Sequence, residues 1–292
     1  MIQPIDEHRP DFAGIAHGID LRAPLTRAHL ELIEQGMDRY AVLVFRGQAL
    51  DDDAQLGFSR NFGPLEQATG DLAQGEQRRL SMEVNDISNV GKDGNVLARD
   101  DRRRLFGLGN MLWHSDSSFK AVPAKYSILS ARVIPPKGGD TEFADMRAAW
   151  DALDAETKAL ALPLVCEHSQ IYSRGVLGFE FTEEERRRFA PVRQRLVRTH
   201  PVTGRKSLFL SSHAGAIVGW PVPEARALLR DLTEHATQRR FVHAHVWQPN
   251  DLVMWDNRAT MHRARRYDPA ERRDLRRTTV ASDGVTVEQL AA

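Results

Sequence analysis

Cysteine is nearly absent from this chain of 292 residues, where Cys166 stands alone. One thiol can close no intrachain disulfide, so a stapled extracellular scaffold is excluded and a cytoplasmic location is expected. Cys166 itself reads as a small buried apolar side chain rather than a nucleophile. Excess charge of either sign is also missing, because 40 Lys and Arg balance 40 Asp and Glu. Such a chain offers no strong field to nucleic acid or to an anionic membrane, and neither is expected as a partner. The short runs Arg102-Arg103-Arg104 and Arg186-Arg187-Arg188 sit beside acidic residues and read as solvated faces. No run of about 18 apolar residues occurs, so no membrane span is expected. The first residues lack a basic start followed by an apolar stretch, so no signal peptide is expected. No Gly-x-Gly-x-x-Gly or Walker-type sequence supports a nucleotide fold. No repeat, low-complexity segment or dividing linker is visible, so one domain over residues 1–292 is expected.

What is present is a series of short strands punctuated by turns. Thr26 caps an expected helix with Leu30, Ile33 and Met37 on one face, ending near Tyr40. Ala41–Phe45 reads as a buried strand, 53–61 as a helix, and 86–90 as a short strand. Residues 65–83 are polar and weakly patterned, and a further polar stretch runs to Arg104. A lid over 65–104 is expected, since loops of that length tend to serve a site. Further strands are expected at 124–133, from Thr141, at 196–198 paired with 207–210, and at 241–247, 252–255 and 278–281. Asp145, Asp154 and Thr182 cap short helices, and 223–236 is the clearest amphipathic helix. Strands and helices do not alternate regularly, so the expected fold class is mostly β with flanking helices, a sandwich or jelly roll.

The stretch Leu112-Trp113-His114-Ser115-Asp116-Ser117 carries the first chemical signal. On an extended strand His114 and Asp116 point to one face. With His262 they supply two imidazoles and a carboxylate, the set that holds non-haem Fe(II) with open positions. The plain alternative is a buried His hydrogen-bonded to a carboxylate. A second signal is Arg273 and Arg277, four apart, whose guanidiniums would share a strand face and suit carboxylate ligands. The alternative there is a solvated basic strand. His243 and His245 form another strand-spaced pair without a carboxylate close in sequence, which suggests packing or a surface role. His213 is a further candidate for the pocket wall. Asp256 reads as the organiser of the turn before His262, and Trp113 and Trp255 as core.

With these residues in place, the chain resembles the taurine/2,4-dichlorophenoxyacetate dioxygenase family of Fe(II)- and 2-oxoglutarate-dependent oxygenases, and within it the phenoxyacetate branch. The likeness runs from about Gly18 to Ala281. It includes Ala41–Gln48, Leu112–Phe119, Gly138–Ala149 and Asp251–Arg258. The resemblance implies a double-stranded β-helix. It implies His114, Asp116 and His262 as iron ligands, with Thr141 and Arg273 on 2-oxoglutarate. It implies Arg277, Asn110 and Ser117 around a small anionic aromatic substrate, with O2 as the oxidant. The halogenating relatives lack the carboxylate ligand, so Asp116 implies hydroxylation, here opening a phenoxyacetate ether to a phenol and glyoxylate. Asp71 and Asn95 stand where the phenoxyacetate enzymes carry lysine, with Lys92 and Arg78 as nearby substitutes. The rival readings are the same chemistry on a sulfonate or another carboxylate, and a non-catalytic metal-binding sensor. Assembly into a homo-oligomer is left open by the sequence.

Overall fold

The computed structural model describes residues 1–70, 72 and 78–287. Numbered along the chain, the strands of the first half are β1 (Ile2–Pro4), β2 (Gly14–Ala16), β3 (Val42–Phe45), β4 (Asn85–Ser88), β5 (Ala124–Val133) and β6 (Thr141–Asp145). Those that follow are β7 (Val165–His168), β8 (Val192–Arg195), β9 (Val197–Thr199), β10 (Lys206–Leu208), β11 (Ala214–Ile217), β12 (Val242–His245), β13 (Leu252–Asp256), β14 (Thr260–Ala264) and β15 (Asp274–Ala281). The helices are α1 (Arg27–Tyr40), α2 (Asp52–Arg60), α3 (Arg102–Gly107), α4 (Met146–Asp151), α5 (Ala155–Ala161), α6 (Gln170–Gly175), α7 (Glu183–Arg188) and α8 (Val222–Ala236).

The apolar run before Arg46 becomes a strand because both of its faces find a layer to pack on. Val42 and Val44 point into the space between two sheets, while Leu43 and Phe45 point out against the helices. The same alternation puts Val253 and Trp255 inside and Leu252 and Met254 outside on β13. α1 supplies Ile33, Met37 and Tyr40 to the outer layer, and α2 supplies Phe58. Thr26 accepts a hydrogen bond from the His29 amide at the start of α1. Ala41, at φ 56°, ends that helix in a left-handed turn that leads straight into β3.

The large sheet runs β1-β2-β3-β13-β5-β15-β4. Facing it is β12-β6-β14, which contributes Phe143 to a core shared with Leu129, Trp255 and Leu275. The sheets β11-β7-β8 and β10-β9, with α4 and α8, close the far side over a second core that includes Met146, Leu208 and Met261. This is a jelly roll, mostly antiparallel, with helices outside, as the strand pattern predicts.

Two expectations change. The polar stretch before Arg104 is not loop throughout, because Asp101 caps α3 and Phe106 anchors it in a small aromatic cluster with Phe181 and Phe189. The stretch around His114 is not a strand. A 3-10 turn occupies Leu108–Met111, a single β-bridge joins His114 to His262, and Ser117 at φ 54° turns the chain away. Side chains, rather than a ladder, hold this segment: Asn257 Oδ1 accepts from the Asp116 amide at 3.0 Å, and Ser115 Oγ donates to the Thr260 carbonyl at 3.0 Å. No described helix is long and apolar enough to cross a membrane.

Candidate active site

His114 and His262 are pinned together by backbone. Each donates its amide to the other's carbonyl, at 3.0 and 2.8 Å, so their rings stand with centroids 4.2 Å apart. Asp116 completes the group: its Oδ1 lies 3.7 Å from His114 Nε2 and its Oδ2 lies 3.7 Å from His262 Nε2. These separations are too long for hydrogen bonds. One ligand atom from each residue falls within 4.8 Å of the others, and all three residues are buried.

The donor chemistry fits a divalent metal. His114 Nδ1 is 2.7 Å from the Leu112 carbonyl, which can only accept, so the proton sits on Nδ1 and Nε2 presents a lone pair. Burial lowers the His114 pKa to about 4, against the opposing charge of Asp116, and the ring is neutral at pH 7. Burial also carries His262 well below the usual histidine range. For Asp116 burial pushes the pKa up, but Arg277, His262 and His114 outweigh it and hold the carboxyl at about 2. Ser127, pointing inward from β5, donates to Asp116 Oδ2 at 2.7 Å, and its Oγ accepts from Asn257 Nδ2 at 2.9 Å.

A cavity of about 490 Å³ opens on this cluster. Arg273 and Arg277 both line it; Arg277 is on β15, whereas Arg273 stands one residue before that strand rather than on it as expected, and Leu275 between them enters the core. Arg273 is buried, donates to the Gly139 carbonyl at 3.2 Å, lies under the Tyr267 ring and leaves Nε without a partner. Arg277 Nη1 donates to Asp116 Oδ1. Thr141 opens β6 in a narrow recess beside the cavity, shared with His262, Arg273 and Arg277. Trp247 Nε1 donates to Thr141 Oγ1 at 3.0 Å, which leaves the threonine proton to be given elsewhere. Asn110 lines cavity and recess, and Ser117 lines the cavity with its hydroxyl donated to Glu66 at 2.6 Å.

Other expectations are placed as follows. His213 is on the cavity wall, 5.0 Å from the Phe119 ring. His243 and His245 are buried on β12, and His245 does have a carboxylate neighbour, contrary to its sequence surroundings. The strand and the following turn bring Asp251 Oδ2 to 3.2 Å from His245 Nε2, although off-axis for a good hydrogen bond. Asp256 organises its turn as expected, accepting from the Arg258 amide and guanidinium. Of the arginine runs, 186–188 is exposed, but Arg103 and Arg104 border the cavity. Asn95 is exposed and bonded to Asp93, away from the cavity wall, whereas Lys92 and Arg78 line it. Asp71, with 73–77 of the expected lid, lies outside the described residues. Residues missed in the sequence include Ser127, Asn257, Trp247, Phe106 and Arg174. Only Trp247, two residues past His245 and next in the His243/His245 alternation, carried a usable signal.

A jelly roll with a buried His-Asp-His cluster and two guanidiniums facing one cavity defines a metal-dependent oxygenase of the 2-oxoglutarate class. The chain belongs to the taurine catabolism dioxygenase TauD, TfdA family, which matches residues 2–279. Enzymes of this class use Fe(II), 2-oxoglutarate and O2. It is 50% identical over 277 residues to the alpha-ketoglutarate-dependent 2,4-dichlorophenoxyacetate dioxygenase of Cupriavidus pinatubonensis, covering 94% of this chain and 96% of that one. It is 37% identical to the (S)-phenoxypropionate/alpha-ketoglutarate-dioxygenase of Sphingobium herbicidovorans, over 99% of this chain and 98% of that one. The crystal structure of AAD-2 in complex with Mn(II) and N-oxalylglycine superposes with a TM-score of 0.95 at 58% identity, covering 98% of this chain and 99% of that one.

Proposed function

We propose that this chain is a cytoplasmic Fe(II)/2-oxoglutarate-dependent dioxygenase that hydroxylates a small aromatic carboxylate, with phenoxyacetates of the 2,4-dichlorophenoxyacetate type as substrates. The observation that carries this is the buried His114-Asp116-His262 cluster, with His114, Asp116, Arg273 and Arg277 on the wall of one cavity and His262 in the recess that adjoins it. The whole chain acts as one dioxygenase domain, and the described part of 65–104 serves as the cover of the cavity.

His114, Asp116 and His262 hold the iron. Arg273 receives the distal carboxylate of 2-oxoglutarate, and the Thr141 hydroxyl, in the same recess, donates to a 2-oxoglutarate carboxylate. N-oxalylglycine, the ligand of the AAD-2 structure, is 2-oxoglutarate with NH in place of one methylene, and supports 2-oxoglutarate as the cosubstrate. When bound, iron with 2-oxoglutarate and O2 supplies an oxidant that replaces a C–H of the substrate by C–OH, with succinate and CO2 as coproducts. Arg277 anchors the substrate anion and so selects which carbon is offered, with Asn110 and Ser117 bordering it. Hydroxylation beside the ether oxygen gives a hemiacetal, whose collapse yields the phenol and glyoxylate.

The test is succinate formation by the iron-loaded protein with 2-oxoglutarate, ascorbate and O2, across 2,4-dichlorophenoxyacetate, other phenoxyalkanoates and taurine. Stimulation by phenoxyacetates with equimolar phenol is expected. Stimulation by taurine alone would replace the substrate class, and absence of any 2-oxoglutarate turnover would overturn the enzyme reading.

A further inference from the structure

Four guanidiniums on the cavity wall are buried or nearly so: Arg79, Arg174, Arg273 and Arg277. Arg79 is paired with Asp86 and Asp274, and the roles above employ Arg273 and Arg277. Arg174, on α6, is the fourth. It is 4% exposed, lines the cavity with His114 and Asp116, and has no carboxylate partner among the described residues. Its Nη1 donates to Ser173 Oγ at 2.9 Å, its Nε has no partner, and it lies over the Phe106 ring at 4.7 Å. The seat is built for it: Gly109 has no side chain, and a β-carbon there would collide with the guanidinium. Burial lowers its pKa to about 10, which leaves it charged at neutral pH. A buried cation without a counter-ion is costly to desolvate, and an anionic ligand offsets that cost.

We propose that Arg174 and Arg277 together clamp the carboxylate of the aromatic substrate. The inference rests on reading the cavity as a phenoxyacetate site. Arg277 alone is a compromised anchor, because Asp116 already occupies its Nη1. Arg174 brings a guanidinium whose Nε has no partner among the described residues to the same cavity, whose wall also carries Asp116 and Arg277. Phe119, also on the wall and only partly buried, offers flat apolar surface for a ring attached to that carboxylate. Two guanidiniums recognise a planar carboxylate better than they do its uncharged amide.

The experiment compares the parent with Arg174→Met, which keeps the stem and removes the charge, and Arg174→Lys, which keeps the charge and removes the fork. Calorimetry on protein loaded with Mn(II) and N-oxalylglycine gives the affinity for phenoxyacetate and for phenoxyacetamide, and thermal melting reports folding. Arg174→Met should weaken phenoxyacetate binding by about tenfold or more, as expected for a lost charge-assisted hydrogen bond. Arg174→Lys should recover part of it, while binding of phenoxyacetamide and of N-oxalylglycine stays near the parent's. Equal losses for carboxylate and amide would overturn the clamp and make Arg174 a packing residue. A loss of N-oxalylglycine binding would assign it to the cosubstrate instead. If Arg174→Met does not fold, the carboxylate-over-amide preference of Arg174→Lys decides: reduced under the clamp, unchanged without it. A parent that does not bind phenoxyacetate overturns the clamp as stated, while succinate formation from 2-oxoglutarate by the same preparation reports separately on the dioxygenase reading.

Discussion

His114 and Asp116 do different work in the cluster, and their removal should differ in more than activity. His114→Ala deletes a neutral imidazole whose Nε2 is free for metal. Asp116→Ala deletes the charge that Arg277, His114 and His262 all face, leaving Arg277 without its partner. Both should abolish iron-dependent succinate formation, by about 10³-fold or more for loss of a group that acts as part of a unit; near-normal turnover in either would remove the metal site from the account. Arg273 and Arg277 should separate by ligand. Arg277→Ala should raise the KM for the aromatic acid more than that for 2-oxoglutarate, and Arg273→Ala the reverse, each by about tenfold or more. The opposite ranking would mean the two roles are exchanged. All five of these residues could be read from spacing and from family likeness. Arg174 could not: Tyr172-Ser173-Arg174-Gly175 has no periodicity or motif, and only the fold brings α6 to the cavity beside Gly109.

At the scale of elements, the sequence was most legible where burial and capping agree with local pattern. Strand β5 and the start of α1 follow their hydrophobic runs and caps, and Thr182 forms the capping box that its Glu185 permits. The segment bearing His114 misled, since His-x-Asp spacing suits a strand, whereas here one bridge and a turn bring the same two side chains together. Short pieces such as β7, β11 and α6 are stabilised by tertiary packing and leave little trace in sequence. A link between elements gives a test: Trp247, just beyond β12, donates to Thr141 at the start of β6. Trp247→Phe keeps the aromatic packing and removes that donor. The Thr141 hydroxyl is then free to rotate away from the recess. The expected result is a rise of about three- to tenfold in the KM for 2-oxoglutarate, the equivalent of one neutral hydrogen bond, with the KM for the aromatic acid little changed. Equal shifts in both would mean that Trp247 supports the cavity as a whole.

For the whole molecule, net neutrality conceals how unevenly ionisable groups are buried. His168 is fully buried, stacks on Phe209 with ring centroids 5.7 Å apart, and has no partner on either nitrogen among the described residues. Burial lowers its pKa to about 3, and burial followed by the charge of His245 lowers that of His243 to about 4. Both groups are neutral in the folded chain at pH values where the unfolded chain, with histidines near 6.5, binds protons. The unfolded state therefore holds more protons below about pH 6.5, and stability must fall as pH falls from there toward 3. The size is on the order of 1 kcal/mol per histidine for each pH unit once below 6.5. Other buried groups also contribute to acid unfolding, so the informative quantity is a difference between variants. His168→Leu removes one proton-binding site from the unfolded state and keeps an apolar side chain against Phe209. Urea midpoints from pH 7.5 to 5 should fall less steeply for His168→Leu than for the parent, the two curves diverging by about 1–2 kcal/mol at pH 5 after alignment at pH 7.5. Parallel curves would mean that His168 takes up its proton in the folded state as readily as in the unfolded one, which a fully buried imidazole without partners should not do.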